Sequence, residues 1–413
     1  MRLTGKAESN GRHRAGRWKP LSICSAGFAL ALLVITGCAT TPTKPKLVLT
    51  GDILVDGPNA VELGPPKDRV LWDYRTAAAA MRRGRYDVAR KMLDDALLSI
   101  GGIIANDKTA KQARGYFNAE ANKTFIGEPY ERCMAYIYRG ILYWMDGEPD
   151  NARACFRSAE LADSDTANQA FSGDWVLADY LDGMVTARLG GDGSDALKRA
   201  QEAAKGIKLP PYNLKANVLI FLEFGPGPTK YGSGEYGEQL KFATPPSPVN
   251  SAEIKIDGMN FPVAPTDDVA FQATTRGGRV MDHILGNKAV FKSTTDAVGT
   301  VALVGGLGTA AFSHDRTAQE VGLGIALAGV LSKVISAAAT PQADIRMWDN
   351  LPRYLSFASL SLSPGQHTAT IEFCDPSGRA VTKLTKTITI DVPADGRDKV
   401  VFVSDQSLTP QKI

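Results

Sequence analysis

The thiol of Cys38 is the residue best placed for covalent chemistry. It closes the segment Ile35-Thr36-Gly37-Cys38, at the end of an apolar run from Leu21 to Ile35. Arg2, Lys6, Arg12, Arg14, Arg17 and Lys19 precede that run, against one acid, Glu8. A basic leader, a short apolar stretch and small residues before a cut describe a secretory signal, too short for a membrane span. A Cys just after the cut can take a diacylglyceryl group on its sulfur. The expected product is a chain anchored by lipid on Cys38, with no other cofactor.

Ile35, Thr36, Gly37 and Cys38 resemble the bacterial lipobox. That resemblance implies three acyl chains on Cys38, enough for firm anchoring where a single chain holds only marginally. Ala39 follows, without the Asp that favours the inner membrane, so the expected site is the periplasmic face of the outer membrane. Removing 37 of the 413 residues leaves 376. The leader holds +5 and the whole chain +3, so the remainder is about −2. That balance gives no case for nucleic acid. Thr40 to Lys46, with two prolines, reads as an extended tether of roughly 3 Å per residue.

Other reactive types are scattered. After the leader the histidines are His283, His314 and His367, none in a metal-ligand spacing. There is no Gly-x-Ser-x-Gly elbow and no phosphate-binding glycine loop with its Lys. Gly305-Gly306-Leu307-Gly308 reads as packing glycine. Gly191-Asp192-Gly193-Ser194-Asp195 reads as a turn rather than a calcium loop, and Asp267-Asp268 as a solvated pair. No catalytic or metal-binding residues are assigned, and a non-enzyme is expected. Cys133, Cys155 and Cys374 remain after Cys38, an odd number for an oxidising compartment.

The elements that must position these residues change character at Pro210-Pro211. Before it, Ala, Arg, Asp and Leu recur with helical spacing, and a pattern repeats. Gly84 is followed by Ala89, Leu93 and Ala96; Gly147 by Ala152, Phe156 and Ala159; Gly191 by Ala196, Ala200 and Ala203. Gly140 and Tyr143 precede the second copy, Ala77 and Ala80 the first. Small residues let facing helices approach, and the bulky one fills the gap between pairs. The offsets resemble the tetratricopeptide repeat. Ala89, Ala152 and Ala196 are 63 and 44 residues apart instead of ~34, so insertions are expected, notably near 101–129. An irregular helical bundle with the same packing is the alternative. On this register Cys133 and Cys155 lie about 12 Å apart along a hairpin and do not pair; both are expected to be buried. Arg82, Arg83, Tyr86, Tyr136 and Arg139 are the candidate contacts for a partner, on exposed parts of the first helices.

After Pro211 the pattern turns to strands. Val218–Phe224 reads as an apolar run suited to a buried strand, and Gly232–Gly237 as a loop. Further strands are expected at 239–243, 253–256, 269–274, 354–362, 368–374, 381–392 and 399–403. Turns such as Ser363-Pro364-Gly365 suit an antiparallel sandwich. Between these strands, 298–312 and 321–339 are apolar and glycine-rich. They form a helical hairpin that either packs on its own domain or touches lipid and self-associates. Asp344, Arg346 and Trp348 then form a joint, Arg346 pairing acids and Trp348 filling the gap between hairpin and sandwich. The expected class is α+β and multidomain: leader 1–37, lipidated Cys and tether 38–69, repeat-like helices 70–210, β-rich parts 211–297 and 341–413, with hairpin 298–340 inserted.

Gly127-Glu128-Pro129-Tyr130-Glu131-Arg132, the stretch Tyr138–Ala152, Phe224-Gly225-Pro226-Gly227-Pro228 with Lys230, Asp344/Arg346/Trp348 with Leu351-Pro352, and Leu362 with Pro364-Gly365 together resemble a poorly characterised family of bacterial envelope lipoproteins with tetratricopeptide-like helices. The resemblance spans most of 70–375. It implies a link to envelope assembly or peptidoglycan-synthase regulation and carries no catalytic motif. The expected function is a lipid-anchored adaptor holding an envelope protein in a concave helical groove. The alternative is a self-assembling or membrane-interacting protein acting through 298–339.

Overall fold

The computed structural model describes residues 45–113, 123–165, 171–204, 207–275, 342–408 and 411–412. The lipobox residues Ile35, Thr36, Gly37 and Cys38, the hairpin 298–340, His283 and His314 lie outside them. The described residues from Leu47 onward group as one compact unit.

The first half is helical: α1 Ile53–Leu63, α2 Arg69–Arg82, α3 Tyr86–Ala113, α4 Pro129–Met145, α5 Pro149–Asp163, α6 Val176–Arg188 and α7 Ser194–Ala203. Local chemistry starts these helices. Asp52 caps α1 by accepting from the Leu54 N–H, and a Glu128/Glu131 capping box with Pro129 opens α4. Helix α1 lies inside the segment expected to be tether, because Asp52 supplies the cap. Gly84 and Gly147, at φ of 67° and 77°, reverse the chain from α2 to α3 and from α4 to α5. A side chain there would meet the left-handed penalty that glycine escapes.

The hairpins pack through the small residues expected. Ala89, Leu93, Ala96, Ala152, Phe156, Ala159, Ala196 and Ala200 are buried, while Tyr143 is half-buried. A Cβ on Gly140 would sit 2.6 Å from the Phe156 ring, so glycine lets α4 and α5 close. Gly183 has the same role between α6 and α7, where a Cβ would come 2.8 Å from that of Ala196.

The second half holds β1 Val218–Pro226, β2 Thr229–Ser233, β3 Gln239–Ala243, β4 Ser251–Ile256, β5 Met259–Val263, β6 Asp267–Asp268, α8 Val269–Thr274, β7 Pro352–Leu360, β8 Gly365–Cys374, β9 Lys386–Val392, β10 Lys399–Ser404 and β11 Gln411–Lys412. One sheet runs β10-β1-β7-β6 and another β11-β9-β8-β4-β5, with β2-β3 a separate hairpin. The pairing is not wholly antiparallel: β1 lies parallel to β10, with Ile220 opposite Val401. Of Gly232–Gly237, expected as a loop, Gly232 and Ser233 end β2, and 234–237 form the turn towards β3. Residues 269–274, expected as a strand, are helical. Asp268 accepts from the Ala270 and Phe271 N–H groups and so starts a helical turn.

Strand β1 explains the layering. Val218, Ile220, Leu222 and Phe224 pack into a core shared with the five-stranded sheet. Leu219 and Phe221 pack on the other face with helix residues Tyr74, Tyr138 and Leu181. Covered on both faces, β1 has no polar alternation. The result is α+β in three layers: helices, four-stranded sheet, five-stranded sheet. The helical and β parts, expected as separate domains, share one core, because the first helix of each hairpin turns its apolar side to the sheet.

Candidate functional site at the helix–sheet joint

Among the described residues, two buried ion pairs join helices to strands. In the first, Glu131 occupies the third position of α4. Its Oε2 accepts from the Glu128 N–H at 2.6 Å and from Lys230 Nζ at 2.6 Å; its Oε1 accepts from the Trp348 N–H at 2.7 Å. Lys230 also donates to the Arg346 carbonyl at 3.0 Å. Both side chains are buried, 1% exposed for Lys230 and 0% for Glu131. Phe125 and Tyr130 rings lie 5.5 and 5.7 Å from the ammonium. Helix cap, hairpin β2–β3 and the strip 342–351 therefore meet on one carboxylate.

The second pair is built on β1. Its one charged residue, Glu223, falls on the helix-facing side. Arg82 Nε of α2 and the Tyr138 hydroxyl of α4 both donate to it, and Arg82 also reaches Gln406 at 3.3 Å. Burial pulls the Arg82 guanidinium down, but the Glu223 charge and hydrogen bond, with Tyr138 and Asp405, together more than offset this and its pKa ends above the ordinary value. Burial, then the Glu223 charge, pushes the Tyr138 hydroxyl far up. Both groups hold their proton in the neutral range and serve as donors.

Trp348 fills the space between the two pairs. It stacks on Tyr74 at 4.4 Å and meets Tyr138 edge-on at 5.8 Å. Arg346 donates to Asp344 and to Asp68, each at 2.6 Å, and to the Lys123 carbonyl at 2.8 Å. The expected joint residues Asp344, Arg346 and Trp348 are thus together, and the described elements they join are the helices and the sheet. What the joint can do is hold layers in register, since its charges are directed at one another.

The candidate partner contacts need correction. Arg82 and Arg139 are buried, not exposed: Arg82 faces Glu223, and Arg139 forks onto Asp94 at 2.7 and 3.2 Å with its guanidinium 3.5 Å from the Tyr143 ring. Tyr86 and Tyr136 are half-buried. Arg83 is exposed and pairs with Asp52 at 2.6 Å. Asp267, expected to be solvated, is buried. It accepts from the Val176 and Leu177 N–H groups at 2.9 and 2.8 Å and so caps α6 from a distant strand. Burial nevertheless pushes its carboxyl up to about 7, against the pull of those two donors. Cys133 is buried and donates to the Ala159 carbonyl at 3.1 Å. Cys155 is only half-buried, contrary to the expectation of full burial, and burial raises its thiol to about 11. Neither forms a disulfide.

Sequence reasoning named Glu131 and Lys230 only within the family resemblance, without a role at this joint, and passed over Glu223. Glu223 carried a signal: one acid in Val218-Leu-Ile-Phe-Leu-Glu-Phe224 is a charge in a buried strand, which must find a partner. Nothing local named that partner. No protein-family model matches the chain, nor does any curated protein or solved structure.

Proposed function

We propose that the chain is a lipid-anchored, non-enzymatic scaffold of the bacterial cell envelope. It is held on the periplasmic face of the outer membrane through Cys38, and its helices are tetratricopeptide-like repeats. The observation that carries this reading is where the ionisable side chains go: Arg82, Glu131, Glu223 and Lys230 are spent on joining layers. Such a build favours a rigid body that presents surfaces. The partner's place differs from the usual one for such repeats. The sheet β10-β1-β7 packs against the first helices, where a bound peptide would otherwise lie. The second helices α3 and α5 face outward and carry Leu98 and Leu161, 76% and 74% exposed. An envelope protein docking on this convex side is the partner the reading calls for.

Photo-cross-linking residues placed at Leu98 and Leu161 in intact cells test it. The expected result is one reproducible envelope protein at both positions, identified by mass spectrometry, that disappears in Leu98→Glu and Leu161→Glu variants. Absence of any foreign adduct would sink the scaffold. Adducts between copies only, concentrated in 298–339, would instead support self-association through that segment.

A further inference from the structure

An open cleft of about 320 Å³ lies where residues 51–56, α2 and the strip 342–351 meet. Asp56, Trp72, Arg75, Asp349 and Asn350 line it. Trp72 is half-buried, with the Arg75 guanidinium 5.3 Å from its ring. Arg75 forks onto Asp349 at 2.8 and 2.9 Å. Asn350 donates its amide to the Arg75 carbonyl at 2.9 Å, and its Oδ1 is buried with no hydrogen-bond partner.

These observations narrow the ligand. Two carboxylates against one guanidinium leave the cleft net negative, and the guanidinium is already paired, so an anion is disfavoured. A purely apolar ligand would cover the Arg75–Asp349 pair without replacing its water contacts, which a recognition site avoids. A neutral polyol suits them. Its hydroxyls donate to Asp349 and accept from the N–H groups of Arg75 not used on Asp349, since a guanidinium has five. Its C–H face covers the indole, which offers an apolar body beside polar neighbours. The volume is at the small end for ligand sites, enough for one or two sugar rings.

We propose that this cleft is a saccharide-binding site, taking one or two neutral pyranose rings with Trp72 as platform and Arg75 and Asp349 as hydrogen-bonding partners, while Asn350 holds the Arg75 backbone in place. The proposal goes beyond the scaffold reading and does not depend on it, because the cleft shares no residue with the convex helices.

Saturation-transfer NMR on the full chain in a sugar-free detergent would test it, with the N-acetylglucosamine trisaccharide and maltotriose as probes. Saturable binding of either, about millimolar in Kd, is expected, weakened at least ~10-fold by Trp72→Ala and by Arg75→Ala. Asp349→Asn, which keeps the shape and releases Arg75, should weaken sugar binding and guards against a Trp72→Ala chain that does not fold. Thermal transitions of all variants are compared first. Failure of both sugars to bind, equal binding by folded Trp72→Ala, or displacement of sugar by inorganic phosphate would overturn the assignment.

Discussion

Lys230 and Glu131 meet 2.6 Å apart with neither side chain open to water, although 98 residues separate them along the chain. Removing one partner of such a pair leaves an unpaired buried charge. Lys230→Met should therefore cost about 3–5 kcal/mol, whereas the double variant with Glu131→Gln should cost less than the sum of the singles. Urea unfolding of the four chains measures this. Additive losses would mean that the pair is not coupled.

Tyr138 and Arg82 share Glu223 between two helices and a strand. Tyr138→Phe deletes one hydrogen bond to a charged acceptor at nearly constant volume. It should cost about 1.5–3 kcal/mol. Arg82→Met should cost more, about 3–5 kcal/mol, because Glu223 then loses its counter-charge. A larger loss for Tyr138→Phe than for Arg82→Met would contradict the assignment of Arg82 as the main partner.

Gly140 is required by closeness rather than by backbone shape. A methyl there would meet the Phe156 ring at 2.6 Å. Gly140→Ala should lose about 1–3 kcal/mol through overpacking, and a Gly140→Ala/Phe156→Leu pair should recover part of it. The check is thermal unfolding of both. If the single variant is as stable as the parent, α4 and α5 are not as close as described.

His367 links the β4–β5 turn to β8. Its Nδ1 lies 2.6 Å from Asp257 and its Nε2 2.8 Å from the Ser363 carbonyl. The carbonyl bond, and then the Asp257 carboxylate, raise its pKa above the usual value. The charged ring is therefore favoured in the folded chain. Its stabilisation is complete below an unfolded pKa of about 6.5 and fades as pH rises through the higher folded value. An NMR titration should place the imidazole above 6.5, and His367→Gln should remove that part of the pH dependence. A folded pKa below 6.5 would reverse the sign.

Several elements could be read directly. Gly84 and Gly147 with Ala89 and Ala152 five residues on announced the hairpins, because a left-handed turn and a small residue at a close helix contact are local demands. Val218–Phe224 announced a strand covered on both faces. Residues 269–274 misled: Val-Ala-Phe-Gln-Ala-Thr suits either period at six residues, and the Asp268 cap decided for helix. Arg82 and Arg139 misled for a different reason. Long basic side chains on a helix are usually solvated, and only a buried acid across the interface, Glu223, or a forked neighbour, Asp94, takes them out of water.

The sequence by itself determined the α+β class, most strand positions, the hairpin turns and the packing residues between helices, since each follows from backbone preference or periodicity within a short window. The tertiary structure decided that the helices' inner side is closed by the chain's own sheet, that β1 and β10 run parallel, and that Glu131 and Glu223 are the points where the layers meet. Those outcomes depend on which buried charges find each other across about a hundred residues or more, and no local window contains that information.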